Sequence, residues 1–113
     1  MVRRGQIWWA ELPEPNASEP GYKRPVLIVQ ADEFNDSRIK TIVVVALTSN
    51  LKLADAPGNV HIIKTKSGLP KDSVVNISQI ITLDKDFLTE QVGVLDNVTL
   101  RQVDEGLQLV LSL

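Results

Sequence analysis

The sequence predicts an α+β fold dominated by β-structure: a small antiparallel sheet, curled or closed into an SH3-like barrel, with one helix at the C-terminus. Three observations lead there. Short runs of β-branched and aromatic residues recur through the first 95 residues, separated by clusters of Pro, Gly, Asn and Ser. The connections between them are too short for repeated β-α-β crossovers, which leaves antiparallel pairing. Only beyond that point does apolar spacing change from strand-like to helical. With 113 residues the chain is near the commonest domain size, and it reads as a single domain over residues 1–113.

The elements follow in order. "GQIWWAEL", residues 5–12, is a first strand that stops at Pro13, with Trp8 and Trp9 on opposite faces. "PEPNASEPGYK", residues 13–23, holds three prolines, a glycine, Asn16 and Ser18 and reads as a long irregular loop. "RPVLIVQA", residues 24–31, is a strand whose unbroken apolar run predicts cover on both faces. Pro25 belongs at its start or on an edge, because it donates nothing to a ladder. "DEFNDSRIK", residues 32–40, is a turn or short helical segment. "TIVVVALT", residues 41–48, is the strongest strand and ends in Thr48 and Ser49 before Asn50. A second loop, residues 49–59, leads to strands at 60–65 and 73–83, with "SGLPKD" as the turn between them. A last strand, "QVGVL", runs into Asp96, which caps a helix with apolar positions Leu100, Val103, Leu107, Val110 and Leu111.

Composition excludes several function classes. The chain contains no cysteine, so disulfides, thiolate metal sites and cysteine nucleophiles are ruled out together. Its one histidine, His61, reads as an ordinary strand side chain, and a histidine-based zinc or haem site needs more ligands. No phosphate-binding glycine loop appears, and no cofactor or metal is expected. The longest apolar run is far short of a membrane span, so a soluble, cytoplasmic protein without membrane contact is expected. The net charge of −2 hides an asymmetry: residues 1–71 carry ten Lys/Arg against seven Asp/Glu, and residues 72–113 two against seven. Chance distribution and a basic site built from the first two-thirds both account for it.

Two strand ends beside long loops remain as candidate chemistry: Arg24 after the first loop, and Thr48, Ser49 and Asn50 before the second. A guanidinium presents a planar fork of donors matched to phosphate, and a hydroxyl adds a donor to the same oxygens. On residue types alone a second reading stands beside this one, in which Arg24 caps a strand end or pairs with Glu19 and Thr48 merely closes a strand. Trp9, Tyr22 and Phe34 are candidates for stacking on a base, or for plain packing.

The order of these segments resembles the MazF/PemK family of toxin endoribonucleases along nearly the whole chain. The similarity is carried by "RRGQIWWAELPEP", by "SEPGYKRPVLIVQADEFN" with its Glu, five residues, Arg-Pro, by "TIVVVALTSN", by "SQIITLDKDFL" and by "VGVLDNVTLRQVDEGLQLVL". The resemblance implies the MazF/CcdB-like fold and a metal-independent endoribonuclease of single-stranded RNA, usually mRNA. The 2′-hydroxyl would attack the adjacent phosphate and leave a 2′,3′-cyclic phosphate, inhibiting translation and growth. It places the catalytic roles on Arg24 and Thr48, with Glu19 as the acidic residue of the first loop; beside it, RNA contacts are expected at Trp9, Tyr22, Lys23, Ser49, Asn50 and Gln79. A cognate antitoxin and a homodimer are the implied partners.

Departures from the family pattern lie at Ala17, Pro20 and Tyr22 in the first loop, and at Ile81 and Phe87 where arginine is common. Fewer cations along the groove imply altered sequence preference or weaker RNA affinity. The alternatives are a non-enzymatic gyrase-binding toxin of the CcdB type, which needs neither "KRP" nor "ALTSN", and a degenerate module that binds RNA without cutting it.

Overall fold

The computed structural model describes residues 2–12 and 23–113. Six strands, β1 (Gln6–Glu11), β2 (Lys23–Ile28), β3 (Thr41–Thr48), β4 (Val60–Ile62), β5 (Ser73–Asp84) and β6 (Leu88–Val94), form one sheet in the order β4-β5-β3-β2-β1-β6. Every pairing is antiparallel, as the short connections require. Two single helical turns, α1 (Asp32–Asn35) and α2 (Lys64–Ser67), interrupt the strands, and α3 (Asn97–Leu111) closes the chain. The sheet curls because β1 is irregular against β6 at two places and β5 leaves β3 between Val75 and Ile80.

Alternating side chains build a core on each face. Ile7, Leu27, Val45, Leu47, Val75 and Ile77 pack with Val103 of α3, whereas Ala10, Val26, Ile28, Ile42, Val44 and Leu83 form the second cluster. The strand β2 is therefore covered on both sides, and its unbroken apolar run follows from that. Trp9 packs against the first cluster and Trp8 against the second, so the paired indoles do face opposite ways.

Several boundaries differ from the sequence expectation, each for a local reason. The strand expected over residues 24–31 ends at Ile28 because Val29 and Gln30 both direct their N–H groups at the Val43 carbonyl. The Gln30 side chain then takes over the ladder's work: its oxygen accepts from the Val43 N–H at 3.1 Å and its amide donates to Asn35 at 2.9 Å. The strand expected over 60–65 ends at Ile62. There the Lys64 N–H turns to Asp72 Oδ1 at 2.8 Å, starting α2, which stops at Gly68 in the left-handed region (φ 82°). The last strand is longer than "QVGVL" and begins at Leu88, since β1 offers it partners as far as Ala10.

The helix α3 starts as expected, with Asp96 accepting from the Thr99 N–H at 2.7 Å; that bond holds the Asp96 carboxyl below its ordinary range. Its inner face is Leu100, Val103, Gly106 and Leu107, while Val110 and Leu111 are 43% and 51% exposed, contrary to the predicted stripe. Gly106 explains the departure. A Cβ there would collide with the Gly58 carbonyl, so the helix is seated at Gly106 on the 56–59 turn, and Val110 and Leu111 beyond it stay exposed.

Polar braces fix the remaining joints. Arg4 donates to the Val29 carbonyl at 2.9 Å and pairs with Asp104 of α3 at 2.5 Å, tying the first strand to the last helix. The Arg4 backbone N–H donates to Asp32 Oδ1 at 2.7 Å and is the main reason that carboxyl sits below its ordinary range. Asn59 bridges the place where β5 leaves β3: its oxygen accepts from the Ile77 N–H at 2.9 Å and its amide donates to the Leu53 carbonyl at 2.9 Å. Asn59→Ala strands both backbone groups and is expected to lower stability by about 1–3 kcal/mol, read from urea unfolding. An unchanged midpoint would show that the bend needs no brace.

Candidate functional site

A cleft opens where β2 and β3 part. Their ladder holds only three pairs, Val26↔Ala46, Leu27↔Val45 and Ile28↔Val44. The direction of the backbone groups explains why it stops there. The Ile28 carbonyl accepts from Gly5 on the β1 side, and the Val29 N–H donates to Val43 on the β3 side. Alternation along the strand then aims the Pro25 nitrogen at β3, where a proline has no proton to give. Each strand is instead held on its other side: Pro25 and Lys23 pair with Trp9 and Glu11 of β1, while Leu47 and Thr48 pair with Val75 and Val74 of β5.

The resulting cavity has a volume of about 360 Å³ and is lined by the strand ends Lys23, Arg24 and Pro25 on one side and Leu47, Thr48 and Ser49 on the other. Trp9 and a turn from Leu69 through Lys71 to Ser73 complete it. Continuing the β2–β3 register by two residues sets Arg24 opposite Thr48, with both side chains on one face of the sheet. The Asn50 backbone N–H donates to Thr48 Oγ1 at 3.1 Å, which occupies a lone pair of the hydroxyl and leaves its proton to be donated elsewhere. Among the described lining residues there are three cations and no carboxylate, so the cleft favours an anion. The Lys23 ammonium lies over the Trp9 ring, 5.4 Å from its centroid.

Most of the sequence-derived candidates meet here. Arg24, Thr48, Lys23, Ser49 and Trp9 all line the cleft. Asn50 does not: its side chain caps the 3-10 turn Leu51–Asp55 by accepting from the Lys52 N–H at 3.2 Å, and its contribution is the backbone bond to Thr48. Gln79 stands exposed on β5, away from the lining, where that strand has left β3. Glu19 and Tyr22 lie outside the described residues, as do Ala17 and Pro20. Phe34, 58% exposed, is at α1 and is not part of the cleft. Of the other two departures, Ile81 on β5 is half-buried against the second core cluster and Phe87, in the 3-10 turn Lys85–Phe87 between β5 and β6, is 38% exposed. Neither reaches this lining.

Local pattern in the sequence marks Leu69-Pro70-Lys71 as a connecting turn and no more. A cation beside a proline in a short turn was the signal for a wall, but nothing in the sequence says which strand ends it faces. Among the described residues no three of His, Asp and Glu gather as a metal-ligand set, and no helix is long and apolar enough to cross a membrane. Leu69, 5% exposed, pins the wall to the core. Leu69→Ala is expected to cost about 2–5 kcal/mol of stability, read from the shift of the urea midpoint, and a loss below 1 kcal/mol would mean that the wall stands apart from the core.

A family model described as the PemK-like, MazF-like toxin of type II toxin-antitoxin systems matches residues 3–111. Endoribonuclease MazF2 of Mycobacterium bovis and endoribonuclease MazF6 of Mycobacterium tuberculosis are each 44% identical over 113 residues, which is 100% of this chain and 99% of theirs. Among solved structures, an endoribonuclease in complex with its cognate antitoxin from mycobacterial species superposes with a TM-score of 0.81 at 26% identity, covering 100% of this chain and 97% of that one.

Proposed function

The chain belongs to the PemK-like, MazF-like toxin family and is a toxin endoribonuclease, and from that premise we propose that Arg24 and Thr48 cut single-stranded RNA at the mouth of the β2–β3 cleft. The observation that carries this reading is that Arg24 and Thr48 line one cleft at strand ends beyond the last β2–β3 pair, and that the described lining holds three cations and no carboxylate.

The ribose 2′-hydroxyl attacks the adjacent phosphorus. The new O2′–P bond forms as the P–O5′ bond breaks, leaving a 2′,3′-cyclic phosphate and a 5′-hydroxyl. Negative charge grows on the non-bridging oxygens, where the Arg24 fork and the Thr48 O–H donate; such preorganised donors typically contribute on the order of 10²- to 10³-fold in rate each. The 5′-oxygen takes a proton as it leaves, and a guanidinium beside it, which carries five N–H donors and no acceptor, supplies one more readily than it accepts one. Glu19 either takes the 2′-hydroxyl proton or orients Arg24. No metal enters this scheme, because every charge that develops has a donor in the cleft.

Single-stranded substrate fits a lining that pairs cations with an aromatic ring, since an unpaired strand can stack a base on Trp9 while its phosphates meet Lys23 and Arg24. The proposed biological setting is mRNA cleavage in the cytoplasm, restrained by a cognate antitoxin whose acidic segments cover the same basic cleft. A homodimer is proposed with it: Val98 and Leu109 of α3, and Leu113 just beyond its end, are more than 60% exposed, apolar surface that a second copy would cover.

Purified protein with excess chelator is expected to cut a long mixed RNA and leave cyclic phosphate ends. Arg24→Ala and Thr48→Val should each slow cleavage by about 10²- to 10³-fold at an unchanged thermal midpoint. Free 3′-hydroxyl ends, or full activity in Arg24→Ala, would reject the mechanism. Light scattering should give twice the mass of one chain, and a monomer at micromolar concentration would reject the dimer.

A further inference from the structure

We propose that Lys71 binds a phosphodiester next to the scissile one, from the wall of the cleft that lies across β3 from Arg24; the inference rests on the endoribonuclease reading above. Lys71 lines the same cavity as Arg24 and Thr48 but enters it from the residues that lead into β5. In the sheet β2 and β5 flank β3, so the two walls stand about two strand spacings, roughly 10 Å, apart. One strand of RNA crossing that gap brings consecutive phosphates past both walls.

The turn is fixed in place. Leu69 is buried and its N–H donates to Ser67 Oγ at 3.0 Å, Pro70 restricts its own backbone, and the Ser73 hydroxyl donates to the Lys71 carbonyl at 3.1 Å. Gly93 lets the preceding helical turn lie directly on β6, since a Cβ there would meet the Ser67 carbonyl. The neighbouring carboxylate is occupied elsewhere, because Asp72 accepts from the Lys64 N–H at 2.8 Å and faces His61 at 4.0 Å.

The cation itself is uncommitted among the described residues. Arg3, Arg4 and Lys66 are each paired with aspartates, whereas no ion pair involves Lys71. A lysine held at the rim of an anion-favouring cleft is a compact point charge for a phosphate, without the fork that reads a transition state. It therefore adds affinity that is equal in the ground and transition states, which changes KM and leaves kcat alone.

The test uses an RNA oligonucleotide spanning a mapped cut site, both as the cleavable strand and as a 2′-O-methylated strand that binds without being cut. Neutralising one phosphate contact on a single strand reduces the slope of log K against log salt by about 0.7. Lys71→Gln is expected to flatten the slope by that amount and to raise KM several-fold at constant kcat and constant cut position. Lys71→Arg should restore the slope. An unchanged slope in Lys71→Gln, or a fall in kcat at constant KM, overturns the assignment while leaving the endoribonuclease reading intact. Wild-type protein that neither binds nor cuts RNA overturns both.

Discussion

A backbone nitrogen without a proton decides where this sheet opens. Every other strand junction near the cleft is closed, β1 on β2 and β3 on β5, so the single place where β2 cannot donate to β3 becomes a gap with rigid walls. Arginine and threonine stand at the ends of those walls and inherit their rigidity. A loop could carry the same two side chains, but holding them at one cleft would then cost conformational entropy each time the proposed reaction ran.

The rest of the fold keeps the walls where they are. The first core cluster packs Leu47 and Leu69, two residues of the cleft, against the strands and α3, so the cleft floor is continuous with the hydrophobic core. Contact between backbones at Gly106 and Gly58 seats the helix, and Asn59 satisfies backbone groups where β5 bends away. These features lie far from the reacting atoms in sequence and act on them through packing.

Local pattern made much of this legible. β-branched runs located β3 and β5 to within a residue or so, Asp96 announced the helix, and Pro25 marked the first residues of β2. What local pattern could not show was substitution of one hydrogen-bonding group by another. Gln30 ends β2 by replacing a ladder bond with its side chain, and Asn50 acts through its N–H although its residue type suggested the amide. Charge asymmetry was half legible for a related reason: Arg3 and Arg4 belong to braces with Asp32, Asp36 and Asp104, while Lys23, Arg24 and Lys71 gather at the cleft. Counting charges along the chain cannot separate these two uses, because the separation is made by tertiary pairing. The helical spacing that failed to place Val110 and Leu111 failed similarly, since the backbone contact of Gly106 with Gly58, which seats the helix, leaves no mark in an apolar stripe.

For the proposed stacking of a base on Trp9, the contact between Lys23 and that ring sets a condition on which bases enter. One face of the indole already holds a cation, worth about 0.5–1 kcal/mol at an exposed position. A base settling on that face must first evict the ammonium, against a stacking gain of about 1–3 kcal/mol. Stacking thus acts as a threshold, which strongly stacking bases clear and weakly stacking ones do not. The displaced lysine is then free to follow the phosphate that arrives with the base, so admission of the base and capture of its backbone become one exchange.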